Sequence, residues 1–315
     1  MKKFNIFIDG QVGTTGLQIY DRLKHHEAVH ILEIDPDDRK NSAAKKKLMQ
    51  AADVTFLCLP DEAARDAAQL AIEAEARVID ASSAHRCQTG WVYGLPELQA
   101  KQREQIANGQ LIANPGCYPT GALLLLKPLI ANGALKADAA LHINGFSGYS
   151  GGGKALIEAY ENASNPSAFG LYGLDFQHKH LPEIEMWSGL TTRPSFTPSV
   201  VNTYQGMLVS IAINPELLNS SIASLGTILA DYYADEPFVR YQASDYPPAE
   251  KFLYIEGLAD TNYCDLRLYR SEANDQALLI AKLDNLGKGA SGAAVQNMNI
   301  MLGLPEDLGV TLSAA

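Results

Sequence analysis

The sequence predicts an α/β protein in two parts: a doubly wound parallel sheet, then a second α+β domain carrying a mostly antiparallel sheet. Three observations carry this expectation. In the first third, short apolar runs alternate with stretches of helical length, the pattern left by βαβ crossovers. A glycine-spaced turn stands directly between the first run and the first helical stretch. In the second half, strand-like runs recur with fewer helices between them, which suits antiparallel pairing.

Phe4 to Ile8 reads as a short buried strand, and Thr15 to His26 as the helix after the turn. Val29 to Ile34 is a second strand, Ala43 to Met49 a helix and Val54 to Leu59 a third strand. The alanine-rich stretch Ala63 to Glu75 is a helix, and Arg77 to Asp80 begins another strand. Later strands are expected at Leu141 to Phe146, Gln205 to Ile213, Phe252 to Leu258, Cys264 to Tyr269 and Leu278 to Leu283. Gly287 to Leu302 reads as a closing helix. The Pro/Gly-rich turn at Asn114 to Pro119 marks the boundary, giving domains 1–116 and 117–286, with 287–315 returning to complete the first.

A chain of 315 residues is long enough for two cores. The net charge of −11 offers no basic footprint, which argues against a nucleic-acid partner. The N-terminal apolar stretch is too short and polar for a signal peptide. The run Ala122 to Leu126 falls far short of the roughly 20 residues a bilayer span needs. The expectation is a cytoplasmic protein without a membrane partner. Its four cysteines, Cys58, Cys87, Cys117 and Cys264, show no CxxC pair and no metal-ligand spacing, so reduced thiols and no metal site are expected.

Gly10-Gln11-Val12-Gly13-Thr14-Thr15-Gly16 is a GxxGxxG turn at the first strand-to-helix junction. Glycines there let the backbone approach a pyrophosphate seated on the helix N-terminus, and Thr14 and Thr15 add hydroxyl donors. Asp35, at the end of the second strand, loosely fits the acidic residue that binds a ribose 2′-hydroxyl and favours NAD. Arg39 and Lys40 fit the opposite rule, pairing the 2′-phosphate of NADP.

The most informative stretch is Asn114-Pro115-Gly116-Cys117-Tyr118-Pro119-Thr120-Gly121 before the apolar run. Gly116 permits an unusual backbone angle, and Pro119 suits a first helical turn. Cys117 therefore falls at a helix start, where unpaired N–H groups and the dipole favour a thiolate and can hold an oxyanion. Cys58, inside a strand, and Cys264 fit the ordinary fate of a buried structural thiol. His178-Lys179-His180-Leu181-Pro182-Glu183 brings two histidines at i, i+2, which an extended backbone points to one side, and Pro182 biases the preceding residues toward that form. Arg86 follows a strand at the expected carboxyl edge of the sheet, where its fork of donors can grip a carboxylate or phosphate. Ser147-Gly148-Tyr149-Ser150-Gly151-Gly152-Gly153-Lys154 can cradle a phosphate on backbone N–H groups, although it lacks the spacing of an ATP loop.

Together with Gly287-Lys288-Gly289-Ala290-Ser291-Gly292-Ala293-Ala294-Val295-Gln296-Asn297, these segments resemble the N-acetyl-gamma-glutamyl-phosphate reductase family in its shorter sequence type. The resemblance spans essentially the whole chain. It implies a Rossmann domain joined to an α+β domain whose sheet forms homo-oligomer contacts, as in aspartate-semialdehyde dehydrogenase. It implies NADPH-dependent reduction of an acyl phosphate to a semialdehyde, in arginine biosynthesis, through a thioester on Cys117. One of His178 and His180 would be the acid/base. Arg86, Ser147, Gly148, Lys154 and Glu183 would meet substrate. Gly10, Gly13, Thr14, Thr15, Gly16, Arg39, Ser82, Gly287, Lys288, Gly289 and Asn297 would meet the cofactor. Two alternatives stand beside this reading: reduction of aspartyl phosphate or a carrier-linked aminoadipyl phosphate, and a non-catalytic dinucleotide-sensing module. The intact cysteine with its histidine pair argues against the module.

Overall fold

The computed structural model describes residues 3–243, 248–271 and 275–311; positions 312–315 of the expected closing segment lie outside the described residues. The chain divides into two compact units, Met1–Pro115 with Ala290–Ala315, and Gly116–Gly289.

The first unit begins β1 (Phe4–Asp9), α1 (Thr14–Leu23), β2 (Val29–Leu32), α2 (Ser42–Ala51), β3 (Val54–Leu57), α3 (Asp61–Glu73) and β4 (Val78–Asp80). It continues through β5 (Val92–Tyr93), α4 (Gln102–Asn108) and β6 (Leu111–Ala113). The strands form one parallel sheet in the order β2-β1-β3-β4-β6-β5. β3 is buried at every residue, because helices shield both faces of such a sheet and no alternation survives in its sequence. Phe7, Leu57 and Val78 pack with Met49 of α2 and Ala67, Ala68 and Ala71 of α3. The small alanines of α3 let the helix lie close to the sheet. β1 is followed by β2 on one side while β3 pairs on its other side, so the strand order reverses between β1 and β3, at whose carboxyl ends ligands bind in folds of this kind.

The second unit runs α5 (Cys117–Ala131), β7 (His142–Gly148), α6 (Gly153–Glu161), β8 (Phe169–Leu171), α7 (Leu181–Ser188), β9 (Ser195–Val201) and β10 (Met207–Ile213). α8 (Ile222–Tyr232), β11 (Val239–Ala243), β12 (Cys264–Arg270) and β13 (Ala277–Leu283) follow. The seven strands order as β11-β12-β13-β10-β7-β9-β8, antiparallel except for the β11–β12 and β7–β9 pairs. In β10, Met207, Val209, Ile211 and Ile213 are buried at every second position, the signature of a sheet covered on one face. α5 covers that face with Leu123 to Leu126 fully buried. Pro128 lies inside this helix and cannot supply the N–H that Leu124 O would accept. The hydroxyl of Tyr233 donates to that carbonyl at 2.8 Å instead, so the buried acceptor stays satisfied.

One expected strand is absent. Phe252 to Leu258 forms no ladder, and Phe252 and Tyr254 are exposed to 70% and 66%. The apolar residues there imitate a strand, but Gly257 turns the backbone to a φ of 103° and breaks the extended run. β8, β9 and β11 escape the sequence reading because they are short, polar or proline-bearing, and only pairing makes them strands.

Gly287–Ser291 forms a wide turn of π type, and α9 (Gly292–Leu302) follows it. Residues 292–301 are all buried, so the polar ones must be answered internally. Gln296 donates to Glu97 and Glu306, and Asn299 to the carbonyls of Glu306 and Leu308.

Candidate active site

In the first unit, the turn at the end of β1 has the geometry of an anion cradle. Gly10 adopts a φ of 88°, and a Cβ on it would lie 2.3 Å from Cys58 O. A Cβ on Gly16 would lie 2.3 Å from Gly10 O. Both positions are closed to any side chain, which is why the turn can fold this tightly. Gly13 is the N-cap of α1, and no side chain caps that helix, so its first-turn amides face an open N-terminus with the positive end of the dipole. Thr14 and Thr15 are half-buried in that first turn. The residues present therefore fit a pyrophosphate. Asp9 beneath the turn is held by Lys45 at 2.8 Å.

Asp35 accepts from Asp37 N at 2.9 Å and caps the short turn that follows it. Its carboxylate thus has a structural use, while Arg39 and Lys40 at the end of the same turn are exposed.

Other residues expected at the cofactor or substrate have internal partners. Ser82 is buried, donates to Asp80 at 2.6 Å and accepts from Ala84 N. Asp80 also meets His85 Nδ1 at 2.6 Å, and the His85 ring stacks on Trp91. Arg86, expected to grip an anion, has a buried guanidinium that donates to Asn114 O at 2.9 Å and Ala81 O at 3.1 Å. A buried guanidinium needs acceptors, and the carbonyls beyond the ends of β4 and β6 supply them. Asn297 is fully buried, and its amide donates to Gly94 O and to Asn114 Oδ1, whose own amide reaches Ala290 O. That network ties α9 into the first unit.

In the second unit, α5 starts at Cys117 itself. Gly116 is its N-cap with ordinary extended angles, φ −75° and ψ 154°, so the expected unusual backbone angle is not used. No side chain caps the first turn, which leaves the dipole end open at the thiol. Gly116 is pinned from two directions. Its N–H donates to Glu183 Oε1 at 2.7 Å, and its carbonyl accepts from Thr120 N and Oγ1, both at 2.9 Å. Gly289 presses against Cys117, since a Cβ there would lie 2.8 Å from Cys117 Cβ.

The histidine segment is not extended. It turns into α7, with His180 as N-cap at φ −88° and ψ −12° and Pro182 in the first turn. Proline here opens a helix, a role that overrides its bias on the residue before it. The two rings still meet, 4.8 Å apart, and both sit edge-on to Tyr118. His178 Nδ1 accepts from His180 N at 3.2 Å. Burial, reinforced by the charge of Lys179, lowers the His178 pKa to about 4, so this ring is neutral near pH 7. Tyr118 donates to Ser199 O and receives the Tyr172 hydroxyl at 3.3 Å; burial raises both phenols, Tyr172 to about 12. Tyr118 and Tyr172 were not singled out from sequence, although Tyr118 adjoins the cysteine.

The Ser147 to Lys154 loop is not a phosphate cradle on its first amides. Gly148 N, Tyr149 N and Ser150 N donate to the carbonyls of Gly206, Thr203 and Tyr204. Ser147 is buried, with its hydroxyl on Gly148 O, and Lys154 is exposed beside Glu158 at 3.7 Å. Lys288 is fully buried, its ammonium 5.7 Å from the Phe238 ring centre. Gly287 packs against Thr261 O, which a Cβ would meet at 1.9 Å. Among the described residues no group of three or more His, Cys, Asp or Glu is arranged to hold a metal ion, and no helix is long and apolar enough to cross a membrane.

Comparison with known proteins agrees with this architecture. Residues 35–108 match the semialdehyde dehydrogenase NAD binding domain, and residues 117–285 the semialdehyde dehydrogenase dimerisation domain. The fold is similar to aspartate semialdehyde dehydrogenase II of Vibrio cholerae (TM-score 0.72, 15% identity, 96% of this chain and 99% of that one). It is similar also to the Candida albicans aspartate semialdehyde dehydrogenase with NADP (TM-score 0.66, 13% identity, 96% and 99%). In sequence the chain is 46% identical to the N-acetyl-gamma-glutamyl-phosphate reductase of Trichormus variabilis, covering 98% of this chain and all of that protein. It is 45% identical to N-acetyl-gamma-glutamyl-phosphate reductase 2 of Pseudomonas putida, over 95% and 96%. At that identity and coverage, with a cysteine opening the first helix of its dimerisation domain, the chain belongs to the N-acetyl-gamma-glutamyl-phosphate reductase family.

Proposed function

We propose that this chain reduces N-acetyl-gamma-glutamyl phosphate to N-acetylglutamate 5-semialdehyde and phosphate, with NADPH, through a thioester on Cys117. The observation that carries this reading is a cysteine at the first position of a helix without a side-chain cap, followed by Tyr118, whose ring meets both histidines edge-on. The first unit, with its returning C-terminal segment, is the NADP module, and the second unit carries the chemistry and the homo-oligomer contacts. The enzyme acts in the cytoplasm on a small-molecule acyl phosphate.

The Cys117 sulfur attacks the acyl carbon, and the carbon–oxygen bond to phosphate breaks. The N-terminal dipole of α5 stabilises both the thiolate and the oxyanion that forms on attack. His180 takes the thiol proton and passes it to the departing phosphate. His178 is the less suited of the pair for that transfer, because its ring stays neutral and its Nδ1 already accepts from His180 N. Gly10, Gly13, Thr14, Thr15 and Gly16 hold the cofactor pyrophosphate, and Arg39 with Lys40 meets the 2′-phosphate. NADPH, when bound, supplies the hydride that reduces the thioester. The resulting thiohemiacetal on Cys117 collapses to the aldehyde and returns the thiolate.

Cys117→Ser tests the reading. Turnover with N-acetyl-gamma-glutamyl phosphate should fall by at least about 10³-fold while NADPH binding, followed by fluorescence, persists. Substantial activity in this variant would refute the mechanism. Parallel assays with aspartyl phosphate and the aminoadipyl phosphate decide the substrate.

A further inference from the structure

We propose that Glu183 is a positioning residue that holds the nucleophile's helix start in register with the histidine pair and does not contact substrate. The inference rests on Cys117 being the nucleophile and replaces the expectation that Glu183 meets substrate. Glu183 is 1% exposed, and Oε1 accepts from Gly116 N at 2.7 Å. Gly116 is the N-cap of α5, immediately before Cys117, and glycine is the residue with the most rotational freedom to lose. The Glu183 bond fixes the peptide before Gly116, and the two Thr120 bonds fix the peptide after it.

Glu183 is also the third residue of α7, whose N-cap is His180. A glutamate at this position ordinarily reaches back to the N-cap amide of its own helix. Here it reaches the N-cap amide of α5. The start of α5, which carries the thiol, and the start of α7, which follows the histidines, are thereby joined by a bond from a backbone amide to a carboxylate. Two charge arguments separate this role from others. A buried carboxylate would repel an acyl phosphate that also carries a carboxylate, so it is ill suited as a substrate ligand. It would also oppose thiolate formation, so electrostatic activation of Cys117 is not what it provides. Geometry remains, and geometry needs only an acceptor oxygen of the right reach.

The test compares Glu183→Ala, Glu183→Gln and Glu183→Asp with Cys117→Ala in the same steady-state assay. Glu183→Ala should lower kcat by about 10²-fold with the KM for acyl phosphate within about threefold. Glu183→Gln, which keeps the oxygen and its reach, should recover at least about tenfold of that loss, and Glu183→Asp, which keeps the charge but is one methylene short, should recover less. A raised KM with kcat retained, or Glu183→Asp outperforming Glu183→Gln, would overturn the inference. If Glu183→Ala fails to fold, the Gln-against-Asp ranking still decides. Activity in Cys117→Ala would instead sink the thioester mechanism itself, whatever the Glu183 variants do.

Discussion

Replacing Gly289 by alanine should disable the nucleophile without touching its chemistry. The backbone of Gly289 is not in the left-handed region, so alanine brings only a methyl group. That methyl would sit 2.8 Å from Cys117 Cβ, 3.3 Å from Cys117 Cα and 3.1 Å from Asp284 O. Carbon atoms in contact rest about 3.5 Å apart or more, so relief needs a shift of about 0.7 Å. Asp284 resists, because its side chain accepts from Asp260 N and Leu286 N and its carbonyl from Gly289 N. Cys117 resists less, being the first residue of its helix. The shift should therefore fall on the thiol. Overpacking of this kind costs about 1–3 kcal/mol of stability, and a displacement approaching 1 Å at a reacting atom costs about 10²-fold in rate. The assay is kcat for acyl phosphate reduction beside urea unfolding and the NADPH Kd. A Gly289→Ala enzyme with kcat within threefold of the parent would refute the reasoning, as would a loss expressed only in NADPH affinity. The latter would return Gly289 to the cofactor role expected from sequence.

Tyr233→Phe removes the hydroxyl that answers Leu124 O above Pro128, and should destabilise the second unit by about 1–3 kcal/mol in urea unfolding with kcat unchanged. Burial keeps both His26 and His178 neutral in the fold, His178 down to about 4. The unfolded chain takes up these protons near 6.5, so the stability they contribute is complete above about pH 6.5 and is lost as pH falls toward 4. Unfolding free energy should accordingly drop between pH 7 and pH 5, and His178→Gln should flatten that slope; a slope identical in the variant would count against it. Arg39→Ala should raise the KM for NADPH about tenfold and leave that for NADH unchanged, and equal effects on both would place Arg39 away from the 2′-phosphate.

What could be read directly from the sequence were the features whose physics is local. The parallel sheet announces itself through strand–helix alternation, the first turn through glycines that its own backbone leaves no room to replace, and Cys117 through the proline and glycine that start a helix around it. Partners distant in sequence decided the rest. One backbone acceptor that the Arg86 guanidinium finds depends on where β6 ends, about thirty positions along the chain. Asn297 and Ser82 carry the same donors in a network as in a cofactor site, and only their neighbours tell the two apart. Phe252 to Leu258 has strand-like residues but no strand to pair with, since a ladder's hydrogen bonds belong to two segments at once. Glu183 follows the histidines in the sequence, yet its reach to Gly116 spans 67 positions and exists only once α7 packs on α5. The cysteine at its helix start was written in one octapeptide; the contacts that hold that start were assembled by the fold.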